Sequence, residues 1–211
     1  MNRLMGTLCG VLFALVTGLV QAQSAPPAVA LKYRPALIRA SHVVWGINAP
    51  VAVFAAQIQQ ESAWREAVCS PFACGLTQFT PETADWIAGH YPEELGAEDA
   101  RAARFDPQWS IQALVRYDRH LYDRIQAAGE CDRMAMTLSA YNGGPGWVTR
   151  DKALAQRNGA DPLRWWGHVE RYSARAKWAF TENRDYPHRI LYTHQPRYRG
   201  WGRTVCLEQE E

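Results

Sequence analysis

The sequence predicts a mainly α-helical fold, and three observations carry this prediction. Apolar residues recur at helical spacing in several segments, and those segments begin with a proline or a capping side chain. Alternating runs of β-branched residues, which are typical of strands, are few. The one such run of note, Ser41 to Val44, is short and weak.

The first helix is predicted to begin at Pro50, because proline suits the first turn, where its missing N–H is not needed. Apolar residues then follow on one helix face: Val51, Phe54, Ala55 and Ile58. The preceding segment from Ser24 to Pro35 is rich in alanine and proline and has no clear period. We therefore expect residues 23–48 to form an N-terminal tail or linker.

Five further helices are expected downstream. Two begin at capped starts that carry a proline, Thr80-Pro81-Glu82 and Asp106-Pro107, and the second is a long helix that stops by Gly129. The other three segments are about Asp132 to Tyr141, a helix starting at Asp161-Pro162, and Ser173 to about Phe180.

The N-terminus is typical of an export signal. A basic Asn2-Arg3 precedes an apolar run from Leu4 to Val20 and a small-residue site at Ala22, which predicts a signal peptide over residues 1–22. The alternative is an uncleaved membrane anchor, although the run is near the lower length limit for spanning. The signal peptide is the only membrane contact that we expect.

Four cysteines remain beyond the signal peptide. An even number in an exported protein predicts two disulfides, Cys69–Cys74 closing a short loop and Cys131–Cys206 tying down a C-terminal tail at residues 194–211. The alternative is four reduced, buried cysteines. Neither pair has the spacing of zinc ligands, so we expect no metal site.

Composition bounds the function further. The formal net charge of +2 is close to balanced, so we expect no nucleic-acid partner. The nine tryptophans are typical either of a hydrophobic core or of a sugar-binding groove, where their rings stack on the sugars. Motifs for metalloproteases, serine hydrolases and phosphate-binding loops are not found in the sequence, so no cofactor is expected.

Glu61 is the first candidate for catalysis. It lies three residues after Ile58 and seven after Phe54, on the same helix face as these apolar side chains. Desolvation there raises the pKa of a carboxyl, as a general acid near neutral pH requires. The alternative is a half-exposed glutamate at a helix end, paired with Arg65 at i+4.

Four motifs give Glu61 a context. In chain order they are Glu61-Ser62, then Gly75-Leu76-Thr77-Gln78 with Pro81-Glu82-Thr83-Ala84, then Ala140-Tyr141-Asn142-Gly143-Gly144, and last Glu182 to Tyr186 with Ile190-Leu191. This ordered set resembles the soluble lytic transglycosylase (SLT) family, whose domain is similar to goose-type lysozyme. The resemblance covers about Val51 to Leu191, and we place the domain at residues 49–193.

The resemblance implies a lysozyme-like helical domain with a substrate groove. It makes Glu61 the catalytic acid and Tyr141 a hydrogen-bonding neighbour of that carboxyl. The substrate-binding residues it implies are Ser62, Gln78, Tyr141, Asn142, Glu182 and Tyr186. Without the resemblance, Asn142-Gly143-Gly144 would be an ordinary helix C-cap, and Glu182 with Tyr186 an exposed helix bearing one buried aromatic.

Three positions depart from the family pattern. Thr77 replaces the usual methionine, and Asn183 stands where threonine is usual. Pro187 follows Tyr186 where an apolar residue is usual, and since proline has no N–H to donate, we expect the helix to break or begin anew there.

The resemblance implies cleavage of the N-acetylmuramic acid–β-1,4–N-acetylglucosamine bond in peptidoglycan, leaving 1,6-anhydro-N-acetylmuramic acid ends. Glu61 would act as the single acid and base, with the substrate's own acetamido group in place of a second carboxylate. The alternatives are a hydrolytic muramidase of goose-lysozyme type and a non-catalytic, peptidoglycan-binding scaffold of a secretion or conjugation machine. The expected partners are glycan strands and such an apparatus, for a monomer exported to the periplasm or secreted.

Overall fold

The computed structural model describes residues 25–207, and the predicted signal peptide at residues 1–22 lies outside them. Within this range the chain is helical, and its β pairing is limited to isolated bridges at the Cys69–Cys74 loop. The α-helices are α1 (Ala28–Leu31), α2 (Arg34–Trp45), α3 (Val51–Ser62), α4 (Pro81–His90), α5 (Pro92–Leu95), α6 (Ala100–Ala103), α7 (Pro107–Arg124), α8 (Glu130–Gly143), α9 (Pro145–Arg157) and α10 (Lys177–His188). The mainly α class predicted from the sequence is confirmed.

Three tighter or wider helical segments complete the description. A 3₁₀ turn at Val169–Arg171 precedes α10. A π-helical segment at Arg189–His194 follows α10 directly and leads into a 3₁₀ segment at Gln195–Trp201. Among residues 25–207, no helix is both long and apolar enough to cross a membrane.

Helix α3 is the centre of the core. Every side chain from Val51 to Ile58 is buried, which is the pattern of a helix enclosed on all sides. It packs against α2, the π-helical segment and the final 3₁₀ segment, while α7 packs on α2 and α8, and α8 on α9 and α10. Glu61 thus emerges at the end of the most deeply buried helix, so the core fixes its position.

The expected caps of α4 and α7 are present. The Thr80 hydroxyl accepts a hydrogen bond from the Thr83 amide at 3.1 Å, and an Asp106 carboxylate oxygen accepts one from the Gln108 amide at 2.8 Å. Each cap satisfies an amide that has no partner within its helix, so these local signals fix where both helices begin.

The expectation of an N-terminal tail or linker at residues 23–48 needs correction, because α1 and α2 lie within it. The weak strand signal from Ser41 to Val44 is likewise part of α2. Helix α2 buries only a narrow stripe, Leu37, Ala40 and Ser41, and leaves Val43 exposed. So narrow a stripe produces little apolar periodicity in the sequence.

Three other helix predictions also need correction. Asp161-Pro162 starts no α-helix; the Asp161 carboxylate accepts from the Leu163 amide at 2.8 Å and so caps a turn. Helix α10 begins at Lys177 rather than Ser173, and it continues through Pro187 instead of breaking. The wider π-helical segment at Arg189–His194 follows this proline within two residues.

Both predicted disulfides, Cys69–Cys74 and Cys131–Cys206, are present. The second holds the tail, which also packs by its own side chains: Tyr198 and Trp201 are buried. With α1 and α2, the tail extends the packed body on both sides of residues 49–193.

Candidate active site

A groove of about 1080 Å³ crosses the surface above the end of α3. Of the seven site residues predicted from the sequence, the structure brings six to its walls: Glu61, Gln78, Tyr141, Asn142, Glu182 and Tyr186. They come from α3, the loop before α4, the end of α8, and α10. The helix packing therefore assembles residues that are up to 125 positions apart in the chain.

Glu61 lies at the groove floor with its carboxyl largely enclosed by protein. The pKa of this carboxyl is raised to about 8, chiefly by burial and to a smaller extent by the nearby charge of Glu182. The Tyr186 hydroxyl donates a hydrogen bond to Glu61 Oε1 and opposes the shift. Arg65 does not pair with Glu61; its Nε donates to the Ser62 carbonyl at 2.9 Å. Glu61 is therefore a protonated acid near neutral pH.

An aromatic cluster fixes the turn that follows Glu61. Ala63 and Trp64 have φ values of 50° and 65°, a left-handed conformation that costs free energy without glycine. The buried Trp64 ring stacks on Tyr33, and its indole N–H donates to the Tyr198 hydroxyl at 2.7 Å. The C-terminal tail thereby holds the strained turn beside Glu61, a role that the sequence did not reveal.

The same tail holds the last turn of α3. The Tyr198 hydroxyl donates to Gln59 Oε1 at 2.9 Å, and His194 Nε2 lies 3.0 Å from Gln60 Oε1. Gln60 also lines the groove. The two residues that precede the motif glutamate are thus anchored from outside the motif.

The expectation that Ser62 contacts substrate is wrong. Its side chain is buried, and its hydroxyl donates to the Leu76 carbonyl at 2.7 Å. Ser62 instead ties the end of α3 to the loop that carries Gln78. A glutamate-serine pair in the sequence does not show which way the serine points, since neighbouring helical residues face about 100° apart.

The loop from Gly75 to Gln78 forms one groove wall. Gly75 has a φ of 83°, and a Cβ there would collide with the Arg104 carbonyl oxygen, so glycine is required. Gln78 donates its side-chain amide to the carbonyls of Val68 at 2.8 Å and Gly75 at 2.9 Å. These bonds use its N–H groups to hold the loop, so of the amide only the oxygen is left to accept from a ligand.

Tyr141 makes its hydrogen bond near Glu61 rather than to the carboxyl itself. Its hydroxyl donates to the Thr77 carbonyl at 2.8 Å, and Tyr186 makes the bond to Glu61. Burial raises the pKa of both tyrosines well above 10, and the charge of Glu61 adds to the effect. Both phenols are therefore permanent donors in the enclosed space around Glu61.

Asn183 positions Asn142. The buried Asn183 amide donates to Asn142 Oδ1 at 2.9 Å and to the Ser139 carbonyl at 2.9 Å. Arg184 donates to Asn183 Oδ1 at 2.6 Å and to the buried Asp151 at 2.7 Å. The asparagine that departs from the family pattern is thus a structural link between α8 and α10.

Charged side chains of both signs lie along α10 at the groove. Glu182 and Asp185 are exposed and line it together with Lys177 and Arg189. Arg189 lies 3.6 Å from Asp185. The groove therefore has no strong excess of either charge.

A second buried carboxyl lies in the core near Glu61. Burial raises the pKa of Asp118 well above its usual range, Gln57 lowers it by a hydrogen bond, and the charge of Glu61 raises it. Gln57 donates to Asp118 Oδ1 at 3.4 Å, but Gln57 Oε1 and Asp118 Oδ2 are buried without a partner. A protonated Asp118 carries an O–H donor, and Gln57 Oε1 beside it is a buried acceptor without a partner. Asp118 is thus a neutral acid paired with an amide.

No cluster of three or more histidine, cysteine, aspartate or glutamate side chains that could hold a metal ion occurs within residues 25–207.

Comparison with known proteins identifies the family. The transglycosylase SLT domain matches residues 44–163, more than half of the chain. The chain belongs to this family. Membrane-bound lytic murein transglycosylase F of Alcanivorax borkumensis is 33% identical over 136 residues, which cover 64% of this chain and 27% of that protein. The protein of the same name from Maricaulis maris is 35% identical over 115 residues, 54% of this chain and 23% of that one.

Solved structures agree on the fold. The 70 kDa soluble lytic transglycosylase of Escherichia coli superposes with a TM-score of 0.58 at 24% identity, over 80% of this chain and 24% of that one. A complex of the 70 kDa soluble lytic transglycosylase with bulgecin A gives 0.59 at 22% identity, over 86% and 26%. The lysozyme-like SLT fold is confirmed, and this chain spans about a quarter of the length of these relatives.

Proposed function

We propose that this chain is a peptidoglycan lytic transglycosylase in which Glu61 is the single general acid and base. The observation that supports this most is the protonated Glu61 carboxyl, with a pKa of about 8, on the floor of a groove of about 1080 Å³. A general acid works best when its pKa lies near the working pH. Membership of the SLT family and the printed names of the murein transglycosylase relatives supply the substrate class.

In the first step, Glu61 gives its proton to the oxygen between N-acetylmuramic acid and N-acetylglucosamine. The bond from the anomeric carbon to that oxygen breaks, and the acetamido oxygen of the same muramic acid closes onto the anomeric carbon. The positive charge then lies on the substrate's own ring, next to the new Glu61 carboxylate. The Tyr186 hydroxyl, which already donates to Glu61 Oε1, stabilises this carboxylate as it forms.

In the second step, the Glu61 carboxylate takes the proton of the muramic acid 6-hydroxyl. The 6-oxygen attacks the anomeric carbon, and the bond to the acetamido oxygen breaks. Glu61 has regained its proton, no water has been consumed, and the product is a 1,6-anhydro sugar. Attack from within the same sugar has a high effective molarity, which favours it over bulk water.

The groove walls have supporting parts in this proposal. Asn142 and the Gln78 oxygen hold the sugar substituents, and Glu182 helps keep Glu61 protonated at rest. Residues 49–193 carry these parts, and the helices and tail on either side complete the domain. Export by residues 1–22 would place the enzyme in the periplasm, acting on the wall near a secretion or conjugation apparatus.

Digestion of purified murein sacculi tests the proposal. The exported form of the protein should release soluble fragments, and mass spectrometry should find anhydro ends on them. Glu61→Gln should lower the release at least a hundredfold, since the acid contributes about that much or more. Glu98→Gln, an exposed glutamate outside the groove, should leave it unchanged. Reducing ends in place of anhydro ends would favour the hydrolytic muramidase, and undiminished release by Glu61→Gln would contradict the role of Glu61.

A further inference from the structure

Two aromatic rings with open faces stand at the groove. Phe72 is 79% exposed and Trp178 is 73% exposed, and both line the groove that holds Glu61. Neither makes a ring or cation–π contact with another side chain of residues 25–207. Trp86, by contrast, stacks on His90 with ring centroids 4.3 Å apart. Large apolar side chains left in water beside a binding groove indicate contact with a ligand.

Covalent and hydrogen bonds restrain the loop from Cys69 to Cys74, which carries Phe72. The Cys69–Cys74 disulfide closes it, and an isolated β-bridge pairs the same two residues. Inside the loop, the Ser70 hydroxyl accepts from the amides of Phe72 at 3.3 Å and Ala73 at 3.0 Å. Folding therefore fixes the backbone of Phe72 before any ligand arrives, which lowers the entropy lost on binding.

Trp178 lies on the same helix face as two groove residues that act on Glu61. Trp178, Glu182 and Tyr186 are spaced by four residues along α10, so they form one stripe. Eight residues of helix place the Trp178 backbone about 12 Å from that of Tyr186. The ring thus lies well away from the one bond that Glu61 would cleave.

We propose that Phe72 and Trp178 are sugar-stacking platforms that bind the glycan strand away from the scissile bond, so that the enzyme prefers strands of several sugars to short fragments. Flat rings pack well against the apolar faces of pyranose sugars. The groove that both rings line carries charged side chains of both signs without a strong excess of either, which suits a largely neutral glycan better than a polyanion. This inference rests on the proposed function for the identity of the ligand.

Binding of neutral N-acetylglucosamine oligomers to the Glu61→Gln protein tests the platforms without cleavage. Calorimetry should show that Phe72→Ala and Trp178→Ala each weaken hexasaccharide binding roughly 5- to 150-fold, by analogy with the loss of an aromatic side chain from beneath a stacked nucleobase. Trisaccharide binding should change much less. Phe105→Ala is the matched control, since this ring is 43% exposed and lies outside the groove.

Removing the Cys69–Cys74 disulfide gives a second test of the same proposal. Cys69→Ser with Cys74→Ser should weaken hexasaccharide binding as Phe72→Ala does. Circular dichroism of each variant checks that it is folded. The proposal is overturned if the Glu61→Gln protein does not bind the hexasaccharide, or if both ring variants bind it as tightly as their parent. Failure of the active protein to cleave murein, with ring-dependent binding intact, would instead contradict the proposed function alone.

Discussion

Replacing Tyr186 with phenylalanine tests the electrostatics of the site most sharply. The Tyr186 hydroxyl is a donor to Glu61 Oε1 and lowers the pKa of that carboxyl, which burial nevertheless keeps at about 8. Removing the hydroxyl takes away stabilisation of the carboxylate only, so the pKa of Glu61 must rise. The protonated acid would then persist to higher pH, while the carboxylate formed in the first step would lose its donor.

The size of the change follows from the hydrogen bond. A bond to a charged group contributes about 1.5–3 kcal/mol, and one pKa unit corresponds to about 1.4 kcal/mol. The pKa of Glu61 should therefore rise by about one to two units, to roughly 9–10. At pH 7 the rate should fall about 10- to 100-fold, because the same free energy is lost from the transition state that leads to the carboxylate.

The assay is the initial rate of fragment release from dilute sacculi, measured from pH 5 to 10. Under these conditions the alkaline limb reports the pKa of the free enzyme's acid. The alkaline limb of Tyr186→Phe should lie at higher pH than the alkaline limb of the unmodified protein. Tyr141→Phe is the matched comparison, since its hydroxyl donates to the Thr77 carbonyl and the alkaline limb should not move. A Tyr186→Phe limb that stays in place or moves to lower pH would refute the reasoning.

Further predictions concern stability. Glu61 has a higher pKa in the folded state, about 8, than its ordinary 4.5, so unfolding releases a proton between these pH values and stability falls as pH rises. Glu61→Gln should raise Tm at pH 8 but not at pH 4, by thermal denaturation; an equal change at both pH values would contradict the buried acid. Asp118→Asn keeps an acceptor and a donor for Gln57 and removes the proton that unfolding of the parent releases, so its gain in the free energy of unfolding should grow as pH rises from 5 to 8. Asp118→Leu leaves the buried Gln57 amide without a partner and should be less stable than Asp118→Asn by about 1–3 kcal/mol. A difference between Asp118→Asn and the parent that stays constant over this pH range would show that Asp118 is ionised in the folded protein. Cys131→Ser with Cys206→Ser should lower the free energy of unfolding by about 2–4 kcal/mol in urea denaturation, because that disulfide closes a long loop. An unchanged urea midpoint would show that the disulfide does not stabilise the fold.

The sequence predicted the parts of the fold that depend on local signals. The caps at Thr80 and Asp106 and the apolar face of α3 appear where their residue types and spacing place them. Helix α2 was not predicted from the sequence, because it buries too few apolar residues to produce a helical spacing of apolar positions. Pro187 was expected to end a helix, but the packing of α10 and the π-helical segment overrides that local preference.

The site divides in the same way. Motif order predicted which residues meet at the groove, but it gave no side-chain direction, so Ser62 was wrongly assigned and the bond from Tyr186 to Glu61 was not foreseen. The Trp64 cluster lay outside every motif and joins residues far apart in the chain. Besides the predicted Cys131–Cys206 disulfide, the aromatic residues of the tail, Tyr198 and Trp201 among them, were a signal that the tail is packed.

Digestion of sacculi in water enriched in oxygen-18 tests the central claim most directly. In the proposed mechanism Glu61 regains its proton from the sugar's own 6-hydroxyl, and no water molecule attacks the anomeric carbon. The new ends should therefore be anhydro sugars without the heavy isotope. The masses of the two fragments from each cut should add up to the mass of the uncut strand, without the extra mass of a water molecule. New ends that carry oxygen-18 at the anomeric carbon would show that water is the nucleophile and would contradict the account.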